Sequence, residues 1–211
     1  MESIEVALFD LGGVLVELTG VPTLMSWMGG WIGPEEIWRR WLTSPNVRAF
    51  ETGAMEPEEF ADELIAELDL PIQRAEFLDA FTYWPRGLFP GAMELVGEIP
   101  RPIVRATLSN TNSLHWPRLM TEMGLAEAFD FHFASHLTGK IKPDTEAFEH
   151  VILSLGRAPE SILFLDDNQL NVDAALSVGL NAFRVQGTKE ARIVMEHIGA
   201  LRHPDSQHQS K

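Results

Sequence analysis

The stretch IEVALFDLGG at residues 4–13 places an acidic residue directly after a short apolar run. The run from Ile4 to Phe9 has the length and composition of a buried strand. Asp10 then stands at the carboxyl end of that strand. Gly12 and Gly13 follow in a turn whose backbone can approach a ligand closely, because neither residue has a side chain. A strand that ends in this way predicts a ligand site at one edge of a sheet.

Four further apolar runs predict the rest of that sheet, and helical patterns separate the later ones. The runs lie at residues 103–108, 129–134, 162–165 and 182–185. Strands that alternate with helices favour the α/β class with a parallel, doubly wound sheet. We therefore expect a Rossmann-like core.

One interval, residues 16–88, breaks this alternation because it contains helical patterns and no convincing strand. Three helices are predicted there: one around Trp38, one that begins at Pro57 and one around Phe81. We expect a core of residues 1–15 and 89–200, with a helical cap of residues 16–88 inserted between its first two strands. The polar residues 201–211 are expected to form a flexible tail.

Polar residues follow four of the predicted strands and should meet at one edge of the sheet. They are Asp10; Ser109 and Asn110; Lys142; and Asp166 and Asp167. Two adjacent carboxylates repel each other unless a cation or hydrogen-bond donors compensate them, and oxygen ligands suit magnesium. A carboxylate can attack phosphorus, while a lysine and a hydroxyl hold the phosphoryl oxygens. The set therefore favours magnesium-dependent phosphoryl chemistry.

Four stretches resemble the four motifs of the haloacid dehalogenase superfamily, in the family's order. They are FDLGGVLVE at 9–17, LSNTN at 108–112, TGKIKPD at 138–144 and FLDDNQLNV at 164–172. The resemblance implies the Rossmann-like core with a small helical cap of the C1 type. It also implies a phosphatase that uses Mg²⁺ and forms an aspartyl-phosphate intermediate. The opening motif and LSNTN look most like the bacterial glucose-1-phosphate phosphatases and the N-terminal phosphatase domain of soluble epoxide hydrolase.

The resemblance also implies a role for each matching residue. Asp10 is the nucleophile and a metal ligand, and Ser109 and Lys142 bind the transferring phosphoryl group. The carbonyl of Gly12 and the carboxylates of Asp167 and Asp166 complete the metal site. Backbone groups of Gly12 and Gly13, together with Asn110, are further expected phosphate contacts. Asn171 is expected to support the site by orienting the metal-binding residues.

The family's second aspartate, which protonates the leaving group and later activates water, is replaced here by Gly12. General acid–base catalysis is worth about 10²- to 10⁴-fold in rate. An ordered water, a cap residue or a nearby side chain such as Glu17 could replace it, or the substrate could have an easier leaving group, such as an anomeric sugar oxygen. The alternatives to a phosphatase are a 2-haloacid dehalogenase and a weakly catalytic or non-catalytic binding protein of this fold.

The charge and composition of the chain limit the kinds of partner that it is expected to bind. The chain has a formal charge of −15, which disfavours nucleic acid as a partner. It has no cysteine, no basic leader and no apolar run long enough for a membrane helix. We expect a cytoplasmic protein that acts on a small phosphorylated metabolite, such as a sugar phosphate. The sequence leaves monomer and homodimer open.

Overall fold

The structure is a computed structural model that describes residues 3–30 and 32–201. Its named elements, in chain order, are β1 (Val6–Phe9), β2 (Val16–Leu18), α1 (Gly20–Trp27), α2 (Pro34–Thr43), α3 (Pro45–Glu51), α4 (Pro57–Leu68), α5 (Arg74–Thr82), β3 (Pro85–Leu88), α6 (Ala92–Gly97), β4 (Val104–Ser109), α7 (Leu125–Ala128), β5 (Phe131–Ala134), α8 (Ser135–Thr138), α9 (Thr145–Leu155), β6 (Ile162–Asp166), α10 (Gln169–Ser177), β7 (Asn181–Arg184) and α11 (Gly187–Ile198). A short π-helix spans Arg118–Glu122, and a 3₁₀ turn spans Pro159–Ser161.

Five strands form a parallel sheet in the order β5-β4-β1-β6-β7. This confirms the predicted α/β class and the Rossmann-like core. Alternate residues of β1 point to opposite faces of the sheet, as the strand period of two requires. Ala7 and Phe9 pack on the side of α6 and α11, whereas Val6 and Leu8 pack on the side of α9 and α10.

The strand bounds correct the sequence prediction in a way that affects the site. The strand expected at residues 103–108 is β4, one residue later, so that Ser109 is its last residue. The strand expected at 162–165 is β6, which also includes Asp166. Both polar residues therefore belong to the ladder and are held by the sheet itself.

Residues 16–88, here called the cap, contain five helices and two short strands. The expectation of no strand there is wrong, because β2 and β3 pair antiparallel where the cap joins the core. The expectation of three helices missed α1 and α3. The cap has its own hydrophobic cluster, with Phe50, Phe60, Phe77 and Phe81 at its centre. The division into core and cap at these bounds stays a prediction.

Within residues 3–30 and 32–201, no helix has both the length and the apolar character needed to cross a bilayer. The predicted tail lies outside the described residues, except for the buried Leu201.

Candidate active site

The carboxyl edge of the sheet gathers the predicted residues. Asp10 follows β1, Ser109 ends β4 and Asp166 ends β6, while Asp167 follows at once. Lys142 arrives on the loop between α8 and α9 and is only 3% exposed. Because β1 lies between β4 and β6, its terminal carboxylate is central among these groups.

The ammonium group of Lys142 bridges two of the carboxylates. Its Nζ lies 2.9 Å from Asp10 Oδ1 and 2.6 Å from Asp166 Oδ2. Burial alone would lower the pKa of Lys142, but the charges of Asp10 and Asp166 raise it instead. Lys142 therefore stays protonated beside Asp10 and can also attract a phosphoryl oxygen.

Asp166 is fully buried and is held by further donors. The amide Nδ2 of Asn171 donates to both carboxylate oxygens, each at 3.0 Å. The backbone N–H of Asn168 donates to Asp166 Oδ1 at 2.8 Å. With Lys142 added, Asp166 is tightly positioned. Asp167 is thereby the freer of the two acids to bind a cation directly.

Three carboxylates lie close enough together to hold one cation. Asp10, Asp166 and Asp167 each offer an oxygen, and these oxygens all lie within 4.8 Å of one another. Burial raises the pKa of Asp10 to about 7, with help from the charges of Asp166 and Asp167 and against the lowering effect of Lys142. Burial and the charge of Asp166 raise the pKa of Asp167 to about 6. A bound cation would relieve this repulsion.

A neighbouring orphan polar atom also fits a bound cation. Asn171 Oδ1 is buried and has no hydrogen-bond partner among the described residues. Magnesium keeps several of its waters when proteins bind it, and such a water would be a donor for this oxygen. The residues present therefore suit Mg²⁺, with Asp10, Asp167 and Asp166 as the acidic ligands and the Gly12 carbonyl as the expected backbone ligand.

Two glycines in the turn after Asp10 leave room for different groups. Gly13 has φ +72°, and a Cβ there would lie 2.2 Å from Asp167 Oδ2. A Cβ on Gly12 would lie 2.7 Å from Cδ1 of Leu18 in β2. Gly13 thus makes room for the carboxylate of Asp167. The space beside Gly12, where the family's second aspartate would project, holds an apolar side chain.

Asn110 has a structural contact that the sequence did not reveal. Its Nδ2 donates to the carbonyl of Lys142 at 2.8 Å, and its Oδ1 accepts from the backbone N–H of Lys142 at 2.9 Å. Both ends of the amide therefore hold the lysine loop. A phosphate contact from Asn110, as predicted, would have to come from its backbone.

A cavity of about 200 Å³ lies over these residues, between the core and the cap. Its core side is polar and includes Asp10, Ser109 and Lys142. Its cap side is mainly apolar, lined by Val16, Leu18, Val21, Leu24, Ile37, Trp38, Trp41, Leu42 and Trp84. Trp41 also packs against Phe81, so it serves both cavity and cap core.

Sequence reasoning missed Glu51, which lines the same cavity from the cap. Its only sequence signal is a negative charge at the last residue of α3, where a helix disfavours an anion. Glu17, named above as a substitute acid, is not part of the cavity lining. It lies instead 3.8 Å from the exposed Arg86 across β2 and β3.

Comparison with known proteins identifies relatives of this chain. The sequence profile of haloacid dehalogenase-like hydrolases matches residues 4–179. The sesquiterpene phosphatase astK of Aspergillus oryzae is 30% identical over 179 residues, which cover 82% of this chain and 86% of the relative. Phosphatase MT3486 of Mycobacterium tuberculosis is 27% identical over 209 residues, covering 90% and 91% of the two chains.

A solved structure has the same fold. It is a haloacid dehalogenase family enzyme from Bacteroides thetaiotaomicron in complex with magnesium and inorganic phosphate. The TM-score is 0.71 at 22% identity, with 87% of this chain and 95% of that chain covered.

Proposed function

The chain belongs to the haloacid dehalogenase-like hydrolase family, and we propose that it is a magnesium-dependent phosphomonoester hydrolase for esters of apolar alcohols. Membership confirms the resemblance of the four motifs and the prediction of an enzyme of the hydrolase class. The narrower resemblance to glucose-1-phosphate phosphatases stays a prediction, as do the cytoplasmic location and the choice between monomer and homodimer.

One observation carries the proposal: three carboxylates that would suit a cation and a charged lysine meet beneath a cavity with an apolar roof. An Oδ of Asp10 would attack phosphorus, and the bond from phosphorus to the ester oxygen would break. Lys142 and the hydroxyl of Ser109 would hold phosphoryl oxygens as charge develops on them. A bound magnesium ion would supply the charge that lets one anion attack another.

The dehalogenase alternative is less consistent with this site, although membership of the family alone leaves it open. A dehalogenase attacks carbon and releases a halide, which gains nothing from two further carboxylates beside the nucleophile. Here Asp166 and Asp167 both lie with Asp10 in one cluster. The non-catalytic alternative rests on Gly12 alone, whereas Asp10, Lys142 and both acids are present.

The cavity's lining favours an apolar leaving group. The cap side offers aliphatic and indole surface, and a single carboxylate, Glu51, among the described residues that line it. An apolar alcohol would gain from contact with that surface. A sugar would leave most of its hydroxyl groups without hydrogen-bond partners there. The relative astK is named a sesquiterpene phosphatase, which also supports an apolar leaving group. The sugar phosphate predicted above is the second candidate.

The test is phosphate release from two sets of monophosphates, isoprenoid or long-chain alkyl esters and sugar phosphates, with magnesium and with EDTA. We expect magnesium-dependent release, with kcat/KM higher for the apolar esters. Asp10→Asn should abolish turnover and leave the fold intact. Release that survives this substitution would contradict the mechanism. Chloride release from 2-chloropropionate in EDTA would favour the dehalogenase instead.

A further inference from the structure

Among the described residues, the core side of the cavity offers no free proton donor at the place where the family's second aspartate would stand. His115 also lines the cavity, but its two ring nitrogens are already engaged, Nδ1 with Asn112 at 3.1 Å and Nε2 with the carbonyl of Phe81 at 2.7 Å. At the family's usual position the chain has Gly12, and the adjacent space is filled by the side chain of Leu18. An alkoxide is a poor leaving group, so hydrolysis of an alkyl phosphate needs a proton donor on the far side of phosphorus from Asp10. The cavity over Asp10 is lined on its opposite side by the cap, so such a donor would come from there.

We propose that Glu51 of the cap is the general acid and base of this site, donating a proton to the leaving oxygen and later taking one from water. This inference rests on the proposed phosphatase function. Glu51 lines the same cavity as Asp10 and Lys142. Among the described cap residues around that cavity it is the single carboxylate. Acid–base chemistry from the cap side therefore has one candidate carboxylate.

Two contacts between cap and core hold α3, the helix that ends at Glu51, against the active site. Arg48 in α3 forms an ion pair with Asp144, two residues after Lys142. Just beyond the helix, Gly53 packs so closely on the core that a Cβ there would lie 2.4 Å from the carbonyl oxygen of His136. Glu51 lies between these contacts, so it is fixed relative to the phosphoryl site rather than carried on a free surface.

The surroundings of Glu51 favour a protonated carboxyl group. Burial raises its pKa to about 8, against the lowering effects of the Trp41 side chain and the charge of Lys142, while the charge of Asp10 raises it. Its place at the carboxyl end of α3 also disfavours the anion. A general acid works best when its pKa lies near the working pH. The groups that face the carboxyl of Glu51 are Trp41 from α2, and Asp10 and Lys142 from the core.

The two steps balance in atoms and charge. In the first, Asp10 Oδ bonds to phosphorus, the ester P–O bond breaks, and the proton of Glu51 passes to the departing oxygen. The products are a free alcohol, phosphorylated Asp10 and ionised Glu51. In the second, Glu51 takes a proton from water as the water oxygen attacks phosphorus. The bond to Asp10 breaks, which releases inorganic phosphate and restores the Asp10 carboxylate and the protonated Glu51.

The experiment compares Glu51→Gln with the wild type on an alkyl phosphate and on p-nitrophenyl phosphate, by rapid quench and by steady-state assay with magnesium. Nitrophenolate leaves without protonation, so its first turnover should stay within about tenfold of the wild type. The alkyl ester should lose about 10²- to 10⁴-fold in kcat/KM. Because water is no longer deprotonated, p-nitrophenyl phosphate should give a burst of about one equivalent of phenolate and trap phosphorylated Asp10. Glu58→Gln, on the exposed start of α4, is the matched control and should behave as wild type.

Several results would overturn the proposal. One is unchanged turnover of the alkyl ester by Glu51→Gln. Another is an equal loss in the first turnover of both esters, which would mean that Glu51 only shapes the cavity. A third is the absence of trapped phosphoenzyme during the slowed turnover. If Asp10→Asn is inactive while Glu51→Gln is normal, only the role of Glu51 fails. If Asp10→Asn still releases phosphate, the proposed function fails with it.

Discussion

The adjacent residues Gly12 and Gly13 have opposite relations to the site. Gly13 has a positive φ, and its missing Cβ leaves the space that Asp167 uses. Gly12 faces the flexible end of Leu18, a side chain that is 50% exposed and can move. A methyl group at Gly13 should therefore displace the carboxylate of Asp167, whereas one at Gly12 would have to displace only the side chain of Leu18.

Gly13→Ala is predicted to weaken magnesium activation, because its Cβ would lie 2.2 Å from Asp167 Oδ2 and displace that carboxylate. Changing a residue that positions a metal ligand typically costs about 10- to 100-fold in metal affinity. The measurement is the magnesium concentration that half-activates phosphate release. Gly124→Ala, at φ +71° with open space around it, is the matched control and should keep the wild-type value. Equal values for both variants would contradict the role given to Gly13.

Gly12→Asp tests whether the family's usual acid can still work on this backbone. Its Cβ would meet Leu18 at 2.7 Å, so we pair it with Leu18→Ala. Added to Glu51→Gln, this pair should restore alkyl phosphate turnover by about tenfold or more, since it returns a carboxyl group to the leaving oxygen. Nitrophenyl phosphate should change less in its first turnover. Leu18→Ala with Glu51→Gln is the control, and rescue by that pair alone would count against the argument.

At the scale of elements, α3 and the β2–β3 pair position the cap over the sheet edge. β2 supplies Leu18, which fills the space beside Gly12, and α3 supplies Glu51. Arg118 further holds the cap's return strand, because its Nε donates to the carbonyl of Pro85 at 2.7 Å. The reactive groups of the core and the cavity lining of the cap thus meet through these short segments.

Gly53→Ala is predicted to shift α3 and to impair alkyl phosphate turnover more than nitrophenyl phosphate turnover. The new Cβ would lie 2.4 Å from the backbone oxygen of His136, which cannot rotate away. Positive φ adds strain of its own, so Gly156→Ala, at φ +60° with open space around it, is the matched control. First-turnover rates report the displacement of α3, and urea unfolding reports the loss of stability from backbone strain. If both variants lose only stability, the contact does not position Glu51.

At the scale of the whole molecule, the acidic cluster links stability to pH and to metal. Burial and neighbouring charges raise the pKa of Asp10 to about 7 and that of Asp167 to about 6, from an ordinary value of 3.8. The folded chain therefore binds these protons more tightly than the unfolded chain does. It follows that the folded state loses stability as pH rises from about 4 to about 7, when no cation is bound.

Magnesium is predicted to reverse this loss, because it binds the ionised carboxylates of the folded state only. In EDTA, the free energy of unfolding in urea should be lower at about pH 7.5 than at about pH 5. With magnesium, the gain in stability should be largest at the higher pH. Asp167→Asn removes one of the clustered charges and should flatten the dependence in EDTA. A magnesium effect of equal size at both pH values would contradict the site.

The sequence alone determined the sheet, the order of the four motifs and the identity of the acids, because those features are local. A buried strand needs a short apolar run, and in a parallel sheet the residues at the strand ends must share an edge. Asp10, Ser109, Lys142, Asp166 and Asp167 could therefore be predicted as one site. Strand ends were off by a residue, since a pattern of apolar residues does not mark where pairing stops.

Only the tertiary structure decided what surrounds Asp10 on the cap side. Leu18 enters the space beside Gly12. Glu51 lines the cavity from α3, a helix that the pattern of apolar residues did not predict. Both depend on how the cap packs over the core, through contacts between residues far apart in the chain, such as Arg48 with Asp144. The composition of the chain and the spacing of its motifs do not predict such contacts. The absence of a second aspartate was visible in the sequence, whereas its proposed replacement became visible only in the fold.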